Sequence, residues 1–578
     1  MLVQSPFPEP PSLTDANAYN VLLNRPDQRE WKDYTLHIDA ITGRKRSFYE
    51  FRERVQDAAA ALGGPVSDGC LGLSAEHDEM VGIISENSSD YVVLVQSLLY
   101  LATPFALISP YSTPFELAHA LKLAKVTAVF VQARLFPLVL SQAKEAGLSR
   151  KNIFILGGRV RGRKSFSDMI FHVKVNIPVY ENKVRPARKD TLAYLVFSSG
   201  TSGLPKGFAA VMITHGNLVY SIYQVFVMGK AEVRVSPPID TPEGIPITLA
   251  FLPMHHSYGL HAYCFRSFIV PHTYIIFPKW NLAAAMKAIP KYHITNLTLV
   301  PSVVHQIANH PKLNKQDLKS VKHVGCGAAY LPKELADKLL TALPPDVELT
   351  EGYGMSEATI AALTLPTSRS LGGRLKRIKG CSGVLLPGVE ARLLRDDGTE
   401  ADFDEVGELY IRSHNVSPGY WNNEKATREA FDNGWLRTGD KFTIDRDGYF
   451  FFADRAKDTL KVSGSQVAPV EIENVLLAHP EGLISDATVA GVSGGRTSDE
   501  KVPRAWVVLS PAGKKKGTAE VIKALESWHQ ESLSKYKWLR GGIEIVREIP
   551  KSPTGKTLRR ILVDKYEKRI HKRMKSKL

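Results

Sequence analysis

The chain has 578 residues, 44% of them hydrophobic and 23% charged. That composition is ordinary for a soluble globular protein and excludes a disordered or fibrous chain, while the length allows several domains or one large domain with additions. The formal net charge of +15 admits nucleic-acid binding, but no zinc-finger spacing, basic zipper or RNP-like signature accompanies it. A surface that attracts small anionic nucleotides is the better reading, and no nucleic-acid partner is expected.

Four cysteines, Cys70, Cys264, Cys326 and Cys381, lie far apart and form no C-x-x-C. They argue against a disulfide framework or zinc ribbon and fit a reducing interior. The first residues, Met1-Leu2-Val3-Gln4-Ser5-Pro6, carry no basic n-region or apolar h-region, so no signal peptide is expected. The apolar run Tyr91 to Ile108 is interrupted by Gln96, Ser97, Thr103 and Pro104. It predicts a buried helix, not a transmembrane segment. Ser576-Lys577-Leu578 reads as the tripeptide recognised by the peroxisomal import receptor, which predicts a peroxisomal matrix location; coincidence is the alternative.

In chain order, residues 1–50 read as an irregular lead-in with an early hairpin turning at Thr42-Gly43. Phe51, Val55, Ala58, Ala59 and Leu62 have helical spacing over 48–62. Strands are then predicted at 81–84, 105–108, 128–131 and 153–156, with helices at 88–102, 113–123 and 136–146. Such alternation predicts an α/β fold with parallel-rich sheets. The apolar run Leu192 to Val196 reads as another buried strand.

Phe197 to Gly207 follows it and reads F-S-S-G-T-S-G-L-P-K-G. Its glycines permit tight turns that expose backbone N–H groups. Those groups, the hydroxyls of Ser198, Ser199, Thr201 and Ser202, and the Lys206 ammonium would together wrap a polyphosphate. Leu204-Pro205 before the lysine distinguishes the loop from a Walker A motif. A polar surface loop is the alternative.

A helix is expected over 214–226, then a strand at 249–252 delivering His255, His256 and, further on, His261 to a loop. The spacing matches no strong zinc pattern, so pocket-lining histidines are favoured over a metal site. Val324-Gly325-Cys326-Gly327-Ala328-Ala329-Tyr330 opens like a dinucleotide fingerprint but has Tyr330 at the third glycine. Glu351-Gly352-Tyr353-Gly354-Met355-Ser356-Glu357 places a ring, a hydroxyl and a carboxylate in one short loop. These groups suit a base, a phosphate and Mg²⁺ respectively, with a plain turn as the alternative.

Residues 383–453 read as a small β subdomain with turns at Asp397-Gly398 and Asp447-Gly448. In it Asp440 stands at a strand edge, where its carboxylate would accept from ribose hydroxyls or simply meet solvent. A small α+β unit follows from 454, with helices from Pro469, over 518–533 and from Leu558, and a strand at 543–546. Lys551-Ser552-Pro553-Thr554-Gly555-Lys556 lies in a rigid exposed loop before the last helix.

The order of these motifs is more telling than any one of them. A Ser/Gly/Lys loop, G-Y-G-M-S-E, T-G-D, the stretch Asp454-Arg455-Ala456-Lys457-Asp458-Thr459-Leu460-Lys461, and P-K-S-P-T-G-K occur in sequence. This resembles the adenylate-forming superfamily over nearly the whole chain. The nearest branch is that of acyl-CoA synthetases, coumarate–CoA ligases and beetle luciferases. The resemblance implies a large N-terminal domain (1–453) and a small mobile C-terminal domain (454–578). It also implies a two-step reaction. A carboxylic acid attacks the α-phosphate of ATP, with Mg²⁺, to give an acyl adenylate and pyrophosphate. Coenzyme A then takes the acyl group and releases AMP.

Carried over by position, Ser198, Ser199, Gly200, Thr201, Ser202, Gly203 and Lys206 resemble the phosphate cradle. Gly327, Ala328 and Ala329 would wall the acyl and adenine pockets, and Gly352, Tyr353, Gly354 and Met355 would pack on the adenine, with Tyr353 stacking on it and Glu351 at the head of the same cofactor-binding stretch. Ser356 would contact phosphate and Glu357 would hold Mg²⁺. Asp440 would bind the ribose hydroxyls beside Arg455, and Lys457 would be the hinge. Lys556 would stabilise charge during adenylation, while Lys461 and Gln466 would face the site in one or other domain position. His256 would gate the acyl pocket and Tyr258 would line it.

Three departures from the cinnamate ligases stand out: Tyr330, the Val462-Ser463-Gly464 run, and Thr359-Ile360 in place of a proline-valine. Acyl specificity is therefore not transferable. An aromatic or medium-chain acid is expected from the pocket residues. A luciferase-like oxygenase, an enzyme loading a carrier protein in trans and a non-catalytic paralogue are the rival readings.

Overall fold

The computed structural model describes the chain except Met1, 75–78, 178–182, 200–207, 232–238, 309, 311–312, 314, 329–330, 332, 379, 396, 456–459, 463–464, 468, 495–500, 551–558 and 576–578. Its internal contacts define two compact units. The first holds Met1–Pro110, Ala118–Phe197 and Ala210–Asp454; the second holds Tyr111–Leu117, Ser198–Ala209 and Arg455–Leu578.

Among the described residues the first unit is built on parallel-rich sheets. One sheet has the order Ile153–Ile155, Ala128–Val131, Val81–Ile84, Phe105–Leu107, Leu192–Ser199, Phe208–Thr214. Its first five strands pair in parallel, as uninterrupted apolar runs bounded by helices require. A second sheet has parallel pairing from Glu348–Tyr353 through His323–Cys326, Asn296–Leu299, Ile247–Ala250 and Thr273–Ile276 to Thr35–Asp39. The early hairpin pairs Thr35–Asp39 with Lys45–Ser47, and Gly43 takes a φ of 74° at its turn. The lead-in is more ordered than the sequence indicates: Ala18–Leu23 is helical and capped by Asn17.

Helices start where a hydroxyl can satisfy an unpaired N–H. The Ser47 side chain accepts from Glu50 N at the head of Phe48–Gly63, and Ser88 from Tyr91 N at the head of Ser89–Tyr100. In the latter helix every residue from Tyr91 to Tyr100 is buried. That accounts for the long apolar run as core, and no described helix is long and apolar enough to cross a membrane. An antiparallel sheet follows, in which Glu390–Leu394, Gly407–Arg412 and Trp435–Ile444 pair in turn and Phe450–Arg455 joins the last.

The second unit has its own core of Val462, Val467, Ile472, Leu476, Val489, Val507, Val521 and Leu525. Ile484–Ser493 pairs antiparallel with Lys501–Leu509, which runs parallel to Ile543–Ile545. Pro469–Leu477, Thr518–Ser532 and Arg559–Lys575 are its principal helices. Lys537 is buried in this unit and donates to Glu471 Oε1 at 2.8 Å and Glu116 Oε1 at 2.9 Å. A buried ammonium needs such partners, because an unpaired one would be strongly destabilising.

Candidate active site

In open α/β sheets ligands bind outside the carboxyl ends of the parallel strands. In the first unit that end gathers the residues that follow Ile247–Ala250, His323–Cys326 and Glu348–Tyr353. Cys326 and Glu351 are register partners there. The next residue, Gly327, has no side chain, and a Cβ at that position would lie 3.4 Å from Tyr258 Cε1 and 3.6 Å from Gly352 O. The tyrosine ring therefore lies directly against the glycine strand end. Ala328 follows with a φ of 68°.

The strand delivers His255 and His256 to a turn, as the sequence reading expects, and a helix begins directly after them, so that His261 lies in helix and not in the loop. His256 is the N-cap of Ser257–Leu260, which passes into a π-helical turn, His261–Phe265. Glycine at 259 allows this, because a Cβ there would sit 2.2 Å from Pro253 O. Asn87 fixes the approach: its Nδ2 donates to Leu252 O, and its Oδ1 accepts from Met254 N, both at 2.9 Å. Burial, with His256 beside it, lowers the His255 pKa to about 3. The ring stays neutral at physiological pH.

Glu351 to Tyr353 lie in a strand, not in the expected loop, and Ser356–Ala358 forms a single 3-10 turn. Two hydrogen bonds join this segment to distant elements. Ser356 Oγ and Ser257 Oγ are 2.9 Å apart, which ties the serine to the histidine helix. Tyr353 OH donates to Asp440 Oδ2 at 2.8 Å, and its ring meets Phe442 edge-on at 4.9 Å. Asp440 is not at a strand edge. It lies within Trp435–Ile444, where the pairing shifts between Glu408 and Tyr410. Gly439 carries a φ of 73° at that irregularity. A bulge of this kind re-aims a side chain out of the ladder.

Glu357 is buried; its Oε1 accepts from Tyr420 OH at 2.9 Å and its backbone oxygen from Ser417 N at 2.7 Å. Thr359 has a φ of 63°, a rare conformation for a β-branched residue. Its Oγ1 donates to Asn415 O at 2.5 Å, while Asn415 Nδ2 donates to Ala358 O at 2.9 Å and Ala361 O at 3.0 Å. The threonine that departs from the cinnamate ligases thus has a structural use. Among the described residues no group of three His, Cys, Asp or Glu side chains could cage a metal. A single buried Glu357 suits an ion such as Mg²⁺ that keeps waters and takes its other ligands from a nucleotide phosphate.

Burial raises the Glu351 pKa to about 7, with Arg377 opposing the shift. Its folded pKa lies above the unfolded one, so the native state holds an extra proton between about pH 4.5 and 7. That contribution is fully present below this window and is lost as pH rises through 7. Wild-type unfolding free energy is expected to lose about 2–3 kcal/mol across the window relative to Glu351→Gln. Urea titrations of both proteins at pH 5 and 7.5 measure it, and parallel pH dependences would refute the assignment.

Of the other expected site residues, Ser198 and Ser199 end the strand Leu192–Ser199 and Arg455 ends Phe450–Arg455. Lys461 and Gln466 are partners across the hairpin Leu460–Val462/Ser465–Val467. Gly200, Thr201, Ser202, Gly203, Lys206, Ala329, Lys457, Lys556 and the Ser576-Lys577-Leu578 tail lie outside the described residues. Ser257, Asn415 and Tyr420 are supporting residues that the sequence does not announce, since their partners lie tens of residues away.

The AMP-binding enzyme family model matches residues 25–421, and the model for the AMP-binding enzyme C-terminal domain matches 471–556. A probable 4-coumarate–CoA ligase 1 of Dictyostelium discoideum is 32% identical over 552 residues, 93% of each chain. The peroxisomal OPC-8:0-CoA ligase 1 of Arabidopsis thaliana is 30% identical over 531 residues, 91% of this chain and 89% of its own. Among solved structures, the amide bond synthetase McbA of Marinactinospora thermotolerans superposes with a TM-score of 0.75 at 22% identity, covering 95% of this chain and 99% of that one. At that identity the likeness bears on the fold alone.

Proposed function

This chain belongs to the AMP-binding enzyme family, and we propose that it activates an aromatic or medium-chain carboxylic acid with ATP and passes it to coenzyme A. Its relatives named as CoA ligases and acyl-CoA synthetases make it an AMP-forming acid–CoA ligase. The observation that carries the site assignment is the double anchoring of the Glu351–Glu357 segment. Ser356 meets the histidine helix through Ser257, and Tyr353 meets Asp440. Base, ribose and phosphate contacts are thereby held in one frame, and positioning with charge neutralisation is what adenylation requires.

In this reading Asp440 accepts from the ribose hydroxyls and Tyr353 stacks on the adenine. Ser356 binds phosphate, and Glu357, oriented by the Tyr420 hydroxyl that donates to it, would hold Mg²⁺, which would neutralise phosphate charge when bound. Lys206 and the 198–203 stretch cradle the outer phosphates. Gly327, Ala328, Tyr258 and His256 bound the acyl group. Arg455, Lys457, Lys461 and Gln466 belong to the second unit's exchange between half-reactions, with the boundary near 453–455. For location we propose the peroxisomal matrix, on the Ser576-Lys577-Leu578 tripeptide and the likeness to one relative named as peroxisomal.

The test is ATP-dependent pyrophosphate release over a panel of carboxylic acids, with and without CoA. Acid-dependent release with a thioester product is the expected result. Release without a thioester would favour carrier loading or a luciferase-like oxygenase, and no release with any acid would overturn the reading.

A further inference from the structure

Three apolar side chains of the first unit stand in water where the proposed reaction has no use for them. Val66 is 71% exposed, Phe171 67% and Val175 60%. Among the described residues only Ile41, on the early hairpin, is a more exposed large apolar side chain. Single exposures of this kind are ordinary, but a cluster of them marks an interaction surface.

The three belong to one face. Phe171 and Val175 are four residues apart on the helix Phe166–Asn176, so they point the same way. The helix turns Phe166, Met169, Ile170 and Val173 into the core, which leaves 171 and 175 outward. Beside it the 3-10 turn Val66–Asp68 closes at Gly69 with a φ of 81°. Two carbonyls at the end of that turn are tied down. His172 Nε2 donates to Asp68 O at 2.8 Å, while its Nδ1 accepts from Asn176 Nδ2 at 3.2 Å. Lys164 Nζ donates to Gly69 O at 3.4 Å. The turn with Val66 is thereby held between the helix and the basic segment that precedes it.

That segment is strongly cationic. From Ser149 to Ser165 the chain carries six Arg and Lys residues and no Asp or Glu. Arg150 and Lys151 lead into the strand Ile153–Ile155, and Arg159 to Lys164 make the turn after it. Arg163 joins the two ends: it donates to Arg150 O and lies over the Phe136 ring at 5.1 Å. Arg150, Lys151, Arg159, Arg161 and Lys164 are exposed. Arg159 meets Asp168 at 3.4 Å, an exposed pair that neutralises little.

We propose that this face seats the protein on an anionic phospholipid surface, with Val66, Phe171 and Val175 entering the headgroup boundary and the cations of 150–164 meeting lipid phosphates. Such a surface uses both halves of the face. The apolar side chains gain by leaving water, and each cation gains near the negative headgroups. Other occupants use one half only. A second copy meeting this face about a two-fold axis would set the cations against their own kind. A nucleic acid would take the cations and leave both valines without a partner.

Vesicle flotation of the full chain tests this without acid, ATP or CoA, so its outcome is independent of the ligase reading. Wild type is expected to bind vesicles of mixed phosphatidylcholine and phosphatidylserine, to leave them as salt rises, and to ignore phosphatidylcholine alone. Phe171→Gln combined with Val175→Gln should lower the partition constant by about 10- to 100-fold. Arg161→Gln combined with Lys164→Gln should lower it by about 10- to 30-fold, at about 5-fold per cation. All four side chains are exposed, so thermal unfolding should match wild type and exclude a folding defect. No binding to the anionic vesicles, equal binding to phosphatidylcholine, or binding that either double variant retains in full would overturn the proposal. Self-association in sedimentation velocity that Phe171→Gln/Val175→Gln abolishes would give the face to a second copy instead. Tighter binding to duplex DNA than to the vesicles would give it to a nucleic acid.

Discussion

Replacing Lys556 with alanine is expected to reduce acid-dependent pyrophosphate release by about 100- to 1,000-fold, the usual cost of losing one group that stabilises charge in a transition state. Thioester formation from preformed acyl adenylate and CoA should be nearly spared in the same protein. The split follows from the chemistry. Attack of a carboxylate on the α-phosphate builds negative charge where two anions meet, and a lysine ammonium placed there helps only in that step. Attack of a thiol on the acyl carbon leaves AMP as the leaving group and does not pass through that phosphorus centre. The residue is assigned through the P-K-S-P-T-G-K resemblance, so the half-reaction assay tests the carry-over itself. Equal losses in both steps would point to a folding defect or a different role. An unchanged adenylation rate would remove Lys556 from the mechanism. The substitution Lys556→Arg would keep the charge with a bulkier, less compact donor and should restore only part of the rate.

Parallel strands of the first sheet such as Val81–Ile84 and Ala128–Val131 were legible because they are buried on both faces and so read as unbroken apolar runs, whereas Asn296–Leu299 alternates in burial, Glu348–Tyr353 is mostly part-exposed, and neither carries such a signal. The helix Ser89–Tyr100 was legible by the same token, with Ser88 as its cap. The site was legible as a set of residue types in order and much less as geometry. The start of a helix at His256 depends on the close approach of Gly259 to Pro253 O, a contact that no local propensity encodes. Asp440 owes its direction to a register shift against Glu408 and Tyr410, so it could not be placed from its own strand. Ser257 and Ser356 meet across 99 residues of chain, and Glu357 and Tyr420 across 63. Such pairs are fixed by sheet order, which follows from crossover connections and not from the side chains concerned.

Asp440→Ala is expected to raise the KM for ATP by about 100-fold or more, with a smaller change in kcat. Two ribose hydroxyls donating to one carboxylate are worth about 1.5–3 kcal/mol each. They act alike in the ground and transition states, which places their loss in KM. Asp440 also accepts from Tyr353 OH at 2.8 Å, so alanine at 440 removes two things at once. Tyr353→Phe separates them. It deletes the hydroxyl and leaves the ring against Phe442, so KM for ATP should move less than about 5-fold if the hydroxyl serves only to orient the carboxylate. In the double variant the phenylalanine should cost little further, because the tyrosine in Asp440→Ala has already lost its acceptor. The coupling from this cycle is expected at about 1.5–3 kcal/mol, the range for a hydroxyl donating to a charged carboxylate. Thermal unfolding of the four proteins supplies the control: an unsatisfied hydroxyl left in Asp440→Ala lowers stability, and the second substitution should recover part of that loss. If Tyr353→Phe raised KM as much as Asp440→Ala did, the carboxylate would be there to hold the tyrosine and the ribose would have to be bound elsewhere. The size of the single-variant difference therefore decides whether the bulge at 438–440 exists to present a ligand-binding carboxylate or to fasten the Glu351–Glu357 segment.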